Sequence, residues 1–311
     1  MTSFADRLQA SIDKTQSVLV AGCDPVIDTM PAFLLDDARS RYDNDEAIIA
    51  HVLNTFCETF IAAIAGRVAA VKPNIAFFEQ YGLAGIAVFE KLCRDLREKQ
   101  IPLITDAKRG DIGSTAAAYS AAFLGNTTVG GKSFRAFESD ALTVSPYLGF
   151  DTLEPFLKDC GENGKGIFVL VQTSNPGAKA LQGLESGGMT VSRHVAKWIA
   201  ENSAKLQGSC GWSGLGAVVG ASYPQEARDL RAVMTDSFFL IPGLGAQGAG
   251  ALDAVAGFGS RNGKKGGALV NASRGLLTGE SKSLDELMAV IRGNVDRFNQ
   301  ELRAALQSSK A

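Results

Sequence analysis

The sequence predicts a single-domain α/β protein with the fold of a (β/α)8 barrel, the TIM barrel. The chain has 311 residues, a length that such barrels commonly reach as one domain. Eight short apolar stretches alternate with segments of helical character, and the composition does not change between the two halves of the chain. A doubly wound open sheet is the alternative, although it usually has fewer strands and a point where the strand order reverses.

An N-terminal helix precedes the first predicted strand. The eight predicted strands are 18–23, 68–74, 103–108, 141–146, 166–173, 215–220, 238–242 and 267–271. The main predicted helices are 46–65, 77–99, an Ala-rich helix after residue 113, 153–159, 190–206, 224–234 and 284–306. Insertions near 25–45, 125–139 and 175–188 interrupt this alternation, and we expect the last of them, which is rich in glycine, to be a mobile loop.

The composition is that of an ordinary globular protein with a sizeable core, since 46% of the residues are hydrophobic and 21% are charged. The net charge of −2 argues against a nucleic acid or an anionic membrane surface as a partner. The five cysteines are scattered without a C-x-x-C pair, which is typical of reduced thiols in the cytoplasm. The first 16 residues lack the apolar core of a signal peptide, and we find no uninterrupted apolar stretch of the ~20 residues needed to span a membrane. We therefore expect a cytoplasmic protein.

Three charged residues follow the apolar start of the third predicted strand. Regular alternation puts Asp106 and Lys108 on one face of the strand, and two glycines then place Asp111 in the loop beyond its carboxyl end. A solvated ion pair at a strand end is the plain interpretation of this motif. Two carboxylates around one ammonium also keep a lysine protonated in a poorly solvated site, where it can donate a proton.

Polar residues also follow several other predicted strands. In a barrel the active site lies at the carboxyl ends of the strands, where these residues are expected to meet. They are Asp24, Lys72, Asn74, Ser145, Thr173 to Asn175, Ser222, Gln247 and Arg274. Lys72 is equally explained as a surface lysine, and Ser145 as the residue that ends a strand before Pro146. A purely structural protein, however, has little reason to end several strands in charged or amide side chains.

A candidate phosphate site lies near the end of the chain. Residues 243–250, rich in glycine, run directly into a predicted helix, so their amides and the helix N-terminus can receive an anion. Arg274 follows the eighth strand, and its guanidinium matches phosphate oxygens. Barrels often bind phosphate in the loops after strands seven and eight. A plain glycine-rich turn is the alternative.

The motif after the third strand resembles the active-site motif of the orotidine 5'-phosphate decarboxylase family, D-x-K-x-x-D-I-x-x-T. The chain matches it from Asp106 to Thr115, and it also carries V-K-P-N-I-A-F-F-E and P-G-x-G-A-Q-G. The resemblance spans about residues 18–278 and is greatest to the longer bacterial subfamily. Shorter bacterial members usually read D-I-P-N-T where this chain reads D-I-G-S-T, and a neighbouring family of sugar-phosphate lyases and synthases shares D-x-K-x-x-D.

The resemblance implies a carboxy-lyase that converts orotidine 5'-phosphate to UMP and carbon dioxide in pyrimidine biosynthesis. It implies that Lys108, one member of a chain of alternating acidic and basic side chains, stabilises and protonates the C6 carbanion. The implied catalytic residues are Lys72, Asp106, Lys108 and Asp111, and the implied substrate contacts are Asp24, Asn74, Ile112, Thr115, Ser145, Pro242, Gln247, Arg274 and Gly275. Ser145 would contact the pyrimidine ring, Gln247 would bridge phosphate and base, and Arg274 would clamp the phosphate.

The resemblance also implies a homodimer with shared active sites. Asp111, Ile112 and Thr115 would reach into the neighbouring subunit, while Asp106 and Lys108 act in their own, although a purely local loop is possible. We expect no cofactor and no metal, because the sequence has no H-x-x-E or H-E-x-x-H motif and no carboxylate-histidine cluster. Two rival functions are a metal-dependent pentulose- or hexulose-phosphate lyase or synthase and a catalytically silent phosphate-ligand-binding barrel.

Overall fold

The fold is a closed parallel barrel. A computed structural model describes residues 2–244, 250–261 and 263–309. Its strands are β1 (Leu19–Cys23), β2 (Ala70–Pro73), β3 (Ile104–Arg109), β4 (Thr127–Val129), β5 (Lys132–Phe134), β6 (Ala141–Val144), β7 (Gly166–Gln172), β8 (Glu185–Ser186), β9 (Met189–Thr190), β10 (Ser213–Val219), β11 (Ser237–Ile241), β12 (Gly259–Arg261), β13 (Lys264–Gly266) and β14 (Ala268–Ala272). Eight of them pair in the order β2-β1-β14-β11-β10-β7-β6-β3. Parallel bridges from Val71 to Leu103 and from Asn74 to Asp106 join β2 to β3, which confirms the predicted (β/α)8 barrel.

Helices separate the barrel strands, as predicted. They are α1 (Phe4–Thr15), α2 (Ala32–Arg41), α3 (Asp45–Ile64), α4 (Ala76–Glu79), α5 (Gly82–Glu98), α6 (Gly113–Phe123), α7 (Glu154–Asn163), α8 (Lys179–Gln182), α9 (Val191–Asn202), α10 (Pro224–Val233), α11 (Ala251–Ala254) and α12 (Leu284–Ser308). The helix predicted over 77–99 is divided into α4 and α5, because Gly82 adopts a left-handed φ of 62° that interrupts the right-handed helix.

The three predicted insertions carry regular structure. The first contains α2, and the second contains the hairpin of β4 and β5. The segment 175–188, predicted as a loop, contains α8 and the start of the β8–β9 hairpin. Gly187 and Gly188 both have positive φ, 59° and 78°, which is the geometry of a two-residue hairpin turn. The glycines that indicated a loop are therefore the turn of a hairpin.

The interior of the barrel is apolar at its amino-terminal end. Alternate strand residues point inward there and pack against one another. They include Val20, Ala70, Ile104, Phe168, Phe238 and Leu269. Helix α1 covers this end with Phe4 and Leu8, and the Phe4 ring meets Phe168 edge-on with centroids 6.1 Å apart. Access to the interior is therefore from the carboxyl ends of the strands.

Helix α3 is long and apolar enough to cross a membrane by length and composition alone. Half of its most apolar window is buried within the protein, however, where the helix packs against α2, α5 and α12. Its apolar composition is therefore that of a helix packed in the outer layer of the barrel.

Candidate active site

Three charged side chains meet inside the carboxyl end of the barrel. Asp106 on β3 is buried, and its Oδ2 accepts a hydrogen bond of 2.9 Å from Nζ of Lys72 on β2. The other oxygen, Oδ1, accepts one of 2.6 Å from Nζ of Lys108. The Lys72 side chain is 7% exposed and that of Lys108 is 49% exposed. Asp106 thus bridges one buried ammonium and one that faces the opening.

The charges of this cluster stabilise one another. Burial alone would raise the pKa of the Asp106 carboxyl, but the charges of Lys72 and then Lys108, with their hydrogen bonds, hold this pKa well below its usual range. Burial likewise disfavours the charged form of Lys72, yet the carboxylates of Asp106 and Asp24 outweigh it and raise the pKa of this lysine. At neutral pH Asp106 is therefore a carboxylate and Lys72 an ammonium.

Strand β3 is irregular where it carries Asp106 and Lys108. From Thr105 to Arg109 it advances four residues while its partner β6 advances two, so the strand bulges. Lys108 lies in this bulge with a left-handed φ of 48°. The prediction that the two side chains share one space is correct, but regular alternation was the wrong reason, because the bulge turns Lys108 back toward Asp106.

Asp24 lies beside this cluster, just after β1. Its Oδ2 accepts a 2.5 Å hydrogen bond from the hydroxyl of Ser273, and its Oδ1 accepts one of 3.2 Å from the backbone N–H of Asn74. The side-chain oxygen of Asn74 accepts from the N–H of Ala76, so that side chain bonds to the first residue of α4. A Cβ atom at Gly22 would lie 2.5 Å from Cβ of Ser273, so glycine is required for this close approach.

A cavity of ≈ 270 Å³ opens above the ionic cluster. Its lining residues are Lys72, Asp106, Lys108, Thr143, Leu170, Thr173, Ser174, Asn175, Val218, Leu240, Pro242 and Asn271. A larger cavity of ≈ 450 Å³ lies between the 183–193 segment and α10 and contains none of the three clustered charges. We assign the site to the smaller cavity, because it combines an apolar floor with Asp106 and Lys72, whose pKa values are perturbed.

Two polar residues of the cavity were not identified from the sequence. Thr143 on β6 donates a hydrogen bond of 2.9 Å to Oδ1 of Asp106. Asn271 on β14 is buried, and its Oδ1 has no hydrogen-bond partner among the described residues, so it offers an acceptor to a ligand or water. Both lie within strands in apolar surroundings, and no motif around them indicates a function.

The motif residues after Lys108 do not join the cluster in their own chain. The Asp111 carboxylate accepts a hydrogen bond of 2.8 Å from the N–H of Ile112, the next residue. The Ile112 side chain is 63% exposed, and Thr115 on the first turn of α6 is also exposed. These residues therefore project outside the chain's own cavity.

The other predicted substrate contacts lie near the same end of the barrel. Pro242 lines the cavity. The Ser145 hydroxyl accepts a long hydrogen bond of 3.5 Å from the N–H of Tyr147, so its proton is free for another partner. Arg274 is exposed and immediately follows Ser273, which contacts Asp24.

Gly275 has a packing role. A Cβ atom at this position would lie 2.8 Å from the ring of Phe298 on α12, so glycine allows the turn after β14 to approach that helix. Gln247 belongs to residues 245–249, which lie outside the described residues. The predicted position of this glutamine between phosphate and base stays a prediction.

Comparison with known proteins agrees with the sequence motifs. The model of the "Orotidine 5'-phosphate decarboxylase / HUMPS family" matches residues 7–284. The orotidine 5'-phosphate decarboxylase of Caldicellulosiruptor bescii is 41% identical over 89% of this chain and 90% of its own length. That of Rhodopirellula baltica is 43% identical over 88% of each chain.

A solved structure gives the same result at the level of the fold. The OMP decarboxylase of Leishmania donovani superimposes with a TM-score of 0.73 and is 29% identical, and the match covers 98% of this chain and 99% of that one. The matches to these relatives extend along nearly the whole chain. The chain belongs to the orotidine 5'-phosphate decarboxylase / HUMPS family.

Proposed function

We propose that this chain is a carboxy-lyase that converts orotidine 5'-phosphate to UMP and carbon dioxide in the biosynthesis of pyrimidine nucleotides. The observation that carries the proposal is the Lys72–Asp106–Lys108 cluster at the wall of a cavity with an apolar floor, with the Lys108 ammonium facing the opening. Relatives over 40% identical along most of the chain bear the name of this decarboxylase. We further propose a single catalytic domain in the cytoplasm.

The chemical problem is the carbanion. When the bond between C6 and the carboxylate breaks, its electron pair stays on C6, where the pyrimidine ring offers no conventional electron sink. A fixed cation beside the developing anion is the strongest stabilising device that side chains provide. The Lys108 ammonium supplies this charge, then transfers a proton from Nζ to C6, and the neutral amine regains its proton from solvent. Carbon dioxide and UMP are the products.

Asp106 holds the reacting lysine in place. Its hydrogen bond of 2.6 Å fixes the Lys108 ammonium, and its contact with Lys72 keeps the carboxylate charged. A substrate carboxylate ~4 Å from Asp106 would be repelled by about 4 kcal/mol at an effective dielectric of ~20, before the two lysines offset part of this. Because the Lys72 and Lys108 ammonium groups offset part of this repulsion, we assign Asp106 chiefly to positioning Lys108.

The remaining residues are assigned to binding. We propose that Asp24 and Lys72 hold the ribose hydroxyls, with Asn74 supporting Asp24 through its N–H. Ser145 would bond the pyrimidine edge, and Pro242 would pack against the substrate in the cavity that it lines. Gln247, Arg274 and Gly275 would surround the phosphate. Binding energy from the phosphate then helps to orient the ring over Lys108.

Truncating Arg274 to alanine is expected to lower kcat/KM for orotidylate by about 100-fold or more. Its two charge-assisted hydrogen bonds to phosphate would be lost, at about 1.5–3 kcal/mol each. The slow reaction of orotidine, which lacks the phosphate, should hardly change. Steady-state kinetics on both substrates measure this, with Arg297→Ala on the exposed face of α12 as the control. Equal losses on both substrates would contradict a phosphate clamp.

We propose that the enzyme is a homodimer whose sites are completed by the partner's loop. The position of the loop within one chain supports this. Among the described residues, the one side-chain hydrogen bond of Asp111 is with its neighbour Ile112, and Ile112 presents an apolar side chain to solvent. Exposed Tyr147 and Leu148 after β6 add to the apolar surface near this end. In a two-fold dimer each loop can reach the other cavity.

Mixing two inactive variants tests the shared site. Asp111→Ala and Lys72→Ala are each expected to be inactive as homodimers. After subunit exchange, half of the dimers are mixed, and each mixed dimer has one intact site, so about one quarter of native activity should return. Analytical ultracentrifugation must show a dimer, and differently tagged subunits must show the exchange. Exchange without recovery of activity would mean that Asp111 serves its own chain.

The decarboxylase is distinguished from the sugar-phosphate rival by one assay. The purified chain, dialysed against a chelator, should consume orotidylate, as followed by ultraviolet absorbance, and should form UMP. Among the described residues there is no group of three or more His, Cys, Asp or Glu side chains that could hold a metal. Activity only on a hexulose or pentulose phosphate, and only with added Mg²⁺, would favour the rival.

A further inference from the structure

The side chain of Thr143 makes three hydrogen bonds inside the barrel. Its Oγ1 accepts from the backbone N–H of Ala107 at 3.0 Å and from that of Lys108 at 2.9 Å. The same hydroxyl donates to Oδ1 of Asp106 at 2.9 Å. A threonine hydroxyl has one donor and two acceptor sites, so its full capacity is used on three consecutive residues of β3.

These hydrogen bonds take the place of the backbone hydrogen bonds between β3 and β6 that the bulge interrupts. Between Thr105 and Arg109 the pairing of β3 with β6 shifts, and the N–H groups of Ala107 and Lys108 bond to a side chain in place of a strand partner. Lys108 holds a left-handed φ of 48°, a conformation that residues other than glycine rarely adopt. Thr143 is almost completely buried, so water is poorly placed to supply the same acceptor.

We propose that Thr143 is a positioning residue that fixes the relative orientation of Asp106 and Lys108. This inference rests on the proposed function and assigns Thr143 a part in it. One hydroxyl holds the backbone conformation from which Lys108 projects and also one oxygen of the carboxylate that receives its ammonium. Removing the hydroxyl frees two amide donors, and residue 108 can then relax toward an extended φ, which carries Nζ away from C6.

Three variants isolate the hydroxyl. Thr143→Val has nearly the same shape and lacks the hydroxyl, whereas Thr143→Ser keeps the hydroxyl and lacks the methyl group. Thr143→Ala, compared with Thr143→Ser, differs in the hydroxyl alone and replaces the valine variant if that protein does not fold. Thr105→Val is the matched control: this buried threonine on β3 bonds Ser139 at 2.6 Å and is not among the residues that line the cavity.

We expect Thr143→Val to lower kcat about 100-fold with little change in KM, because a displaced catalytic group affects the transition state more than substrate binding. Thr143→Ser should restore most of the turnover, and Thr105→Val should leave kcat unchanged even if it lowers the melting temperature. A crystal structure of the valine or alanine variant should show residue 108 away from φ 48° and a broken Lys108–Asp106 contact. This readout needs no substrate, so it is independent of the native enzyme's activity on orotidylate.

Either of two results would overturn the proposal. In the first, folded Thr143→Val, or Thr143→Ala in its place, keeps the native kcat and the native position of Lys108. In the second, Thr143→Ser loses as much turnover as the variant without a hydroxyl, so that packing of the methyl group explains the effect.

Discussion

Replacing Lys108 with alanine is expected to lower kcat for orotidylate by at least about 10⁴-fold, because one change removes both the proton donor and the charge facing the carbanion. The fold should persist, since about half of this side chain is exposed and its backbone is held by Thr143. Rapid-quench measurement of UMP formation, with circular dichroism as the check on folding, gives the result.

A matched control is Lys197→Ala on α9, where the lysine is exposed and pairs only loosely with Glu201. Its kcat should equal that of the native chain. Turnover by Lys108→Ala within tenfold of native, in protein free of contaminating enzyme, would remove Lys108 from the proposed role.

Replacing Asp106 with asparagine should impair both stability and catalysis. The Lys72 ammonium, 7% exposed, loses its only ion-pair partner within 4 Å among the described residues, and breaking a buried pair costs about 3–5 kcal/mol. Lys108 loses the carboxylate that orients it, so kcat should fall at least about 100-fold. Asp296→Asn, in an exposed pair with Arg67, is the control and should cost about 1 kcal/mol or less. Urea unfolding and steady-state kinetics measure the two effects separately.

The pH dependence of stability follows from the same pair. The pKa of Asp106 is lower in the folded state, so its contribution to stability is present above the unfolded pKa of about 3.9 and is lost as pH falls through the folded value. The pKa of Lys72 is raised by folding, so its contribution is present below about pH 10.4 and is lost as pH rises through the folded value. Unfolding free energies should therefore fall less steeply below pH 4 in Asp106→Asn than in the native chain. An unchanged acid limb would mean that Asp106 is not the responsible group.

The barrel and the centre of its site were predictable from local sequence. Buried parallel strands are continuous apolar runs, and their periodicity does not depend on distant residues. Lys72, Asp106 and Lys108 follow or end such runs on adjacent strands, so the barrel itself brings them together. Their contact distances confirm that they meet, while their roles in the reaction stay predictions.

The contacts missed from the sequence depend on residues far apart in the chain. Ser273 is next to Asp24 only because β14 pairs with β1, and Thr143 reaches Lys108 only because β3 bulges against β6. Asn271 is a single amide within an apolar strand. A bulge has no reliable sequence signal. Regular alternation therefore predicted that Lys108 lies on the same side of the strand as Asp106, which is correct, but it predicted the wrong backbone conformation at Lys108.

The most direct test of the proposed mechanism is a crystal structure of the native chain with UMP in the site. We expect C6 to lie about 3–3.5 Å from Nζ of Lys108, as a reacting pair must, with the phosphate at Arg274 and the ribose beside Asp24 and Lys72. A pyrimidine ring bound with C6 turned away from Lys108, or UMP bound outside this cavity, would contradict it.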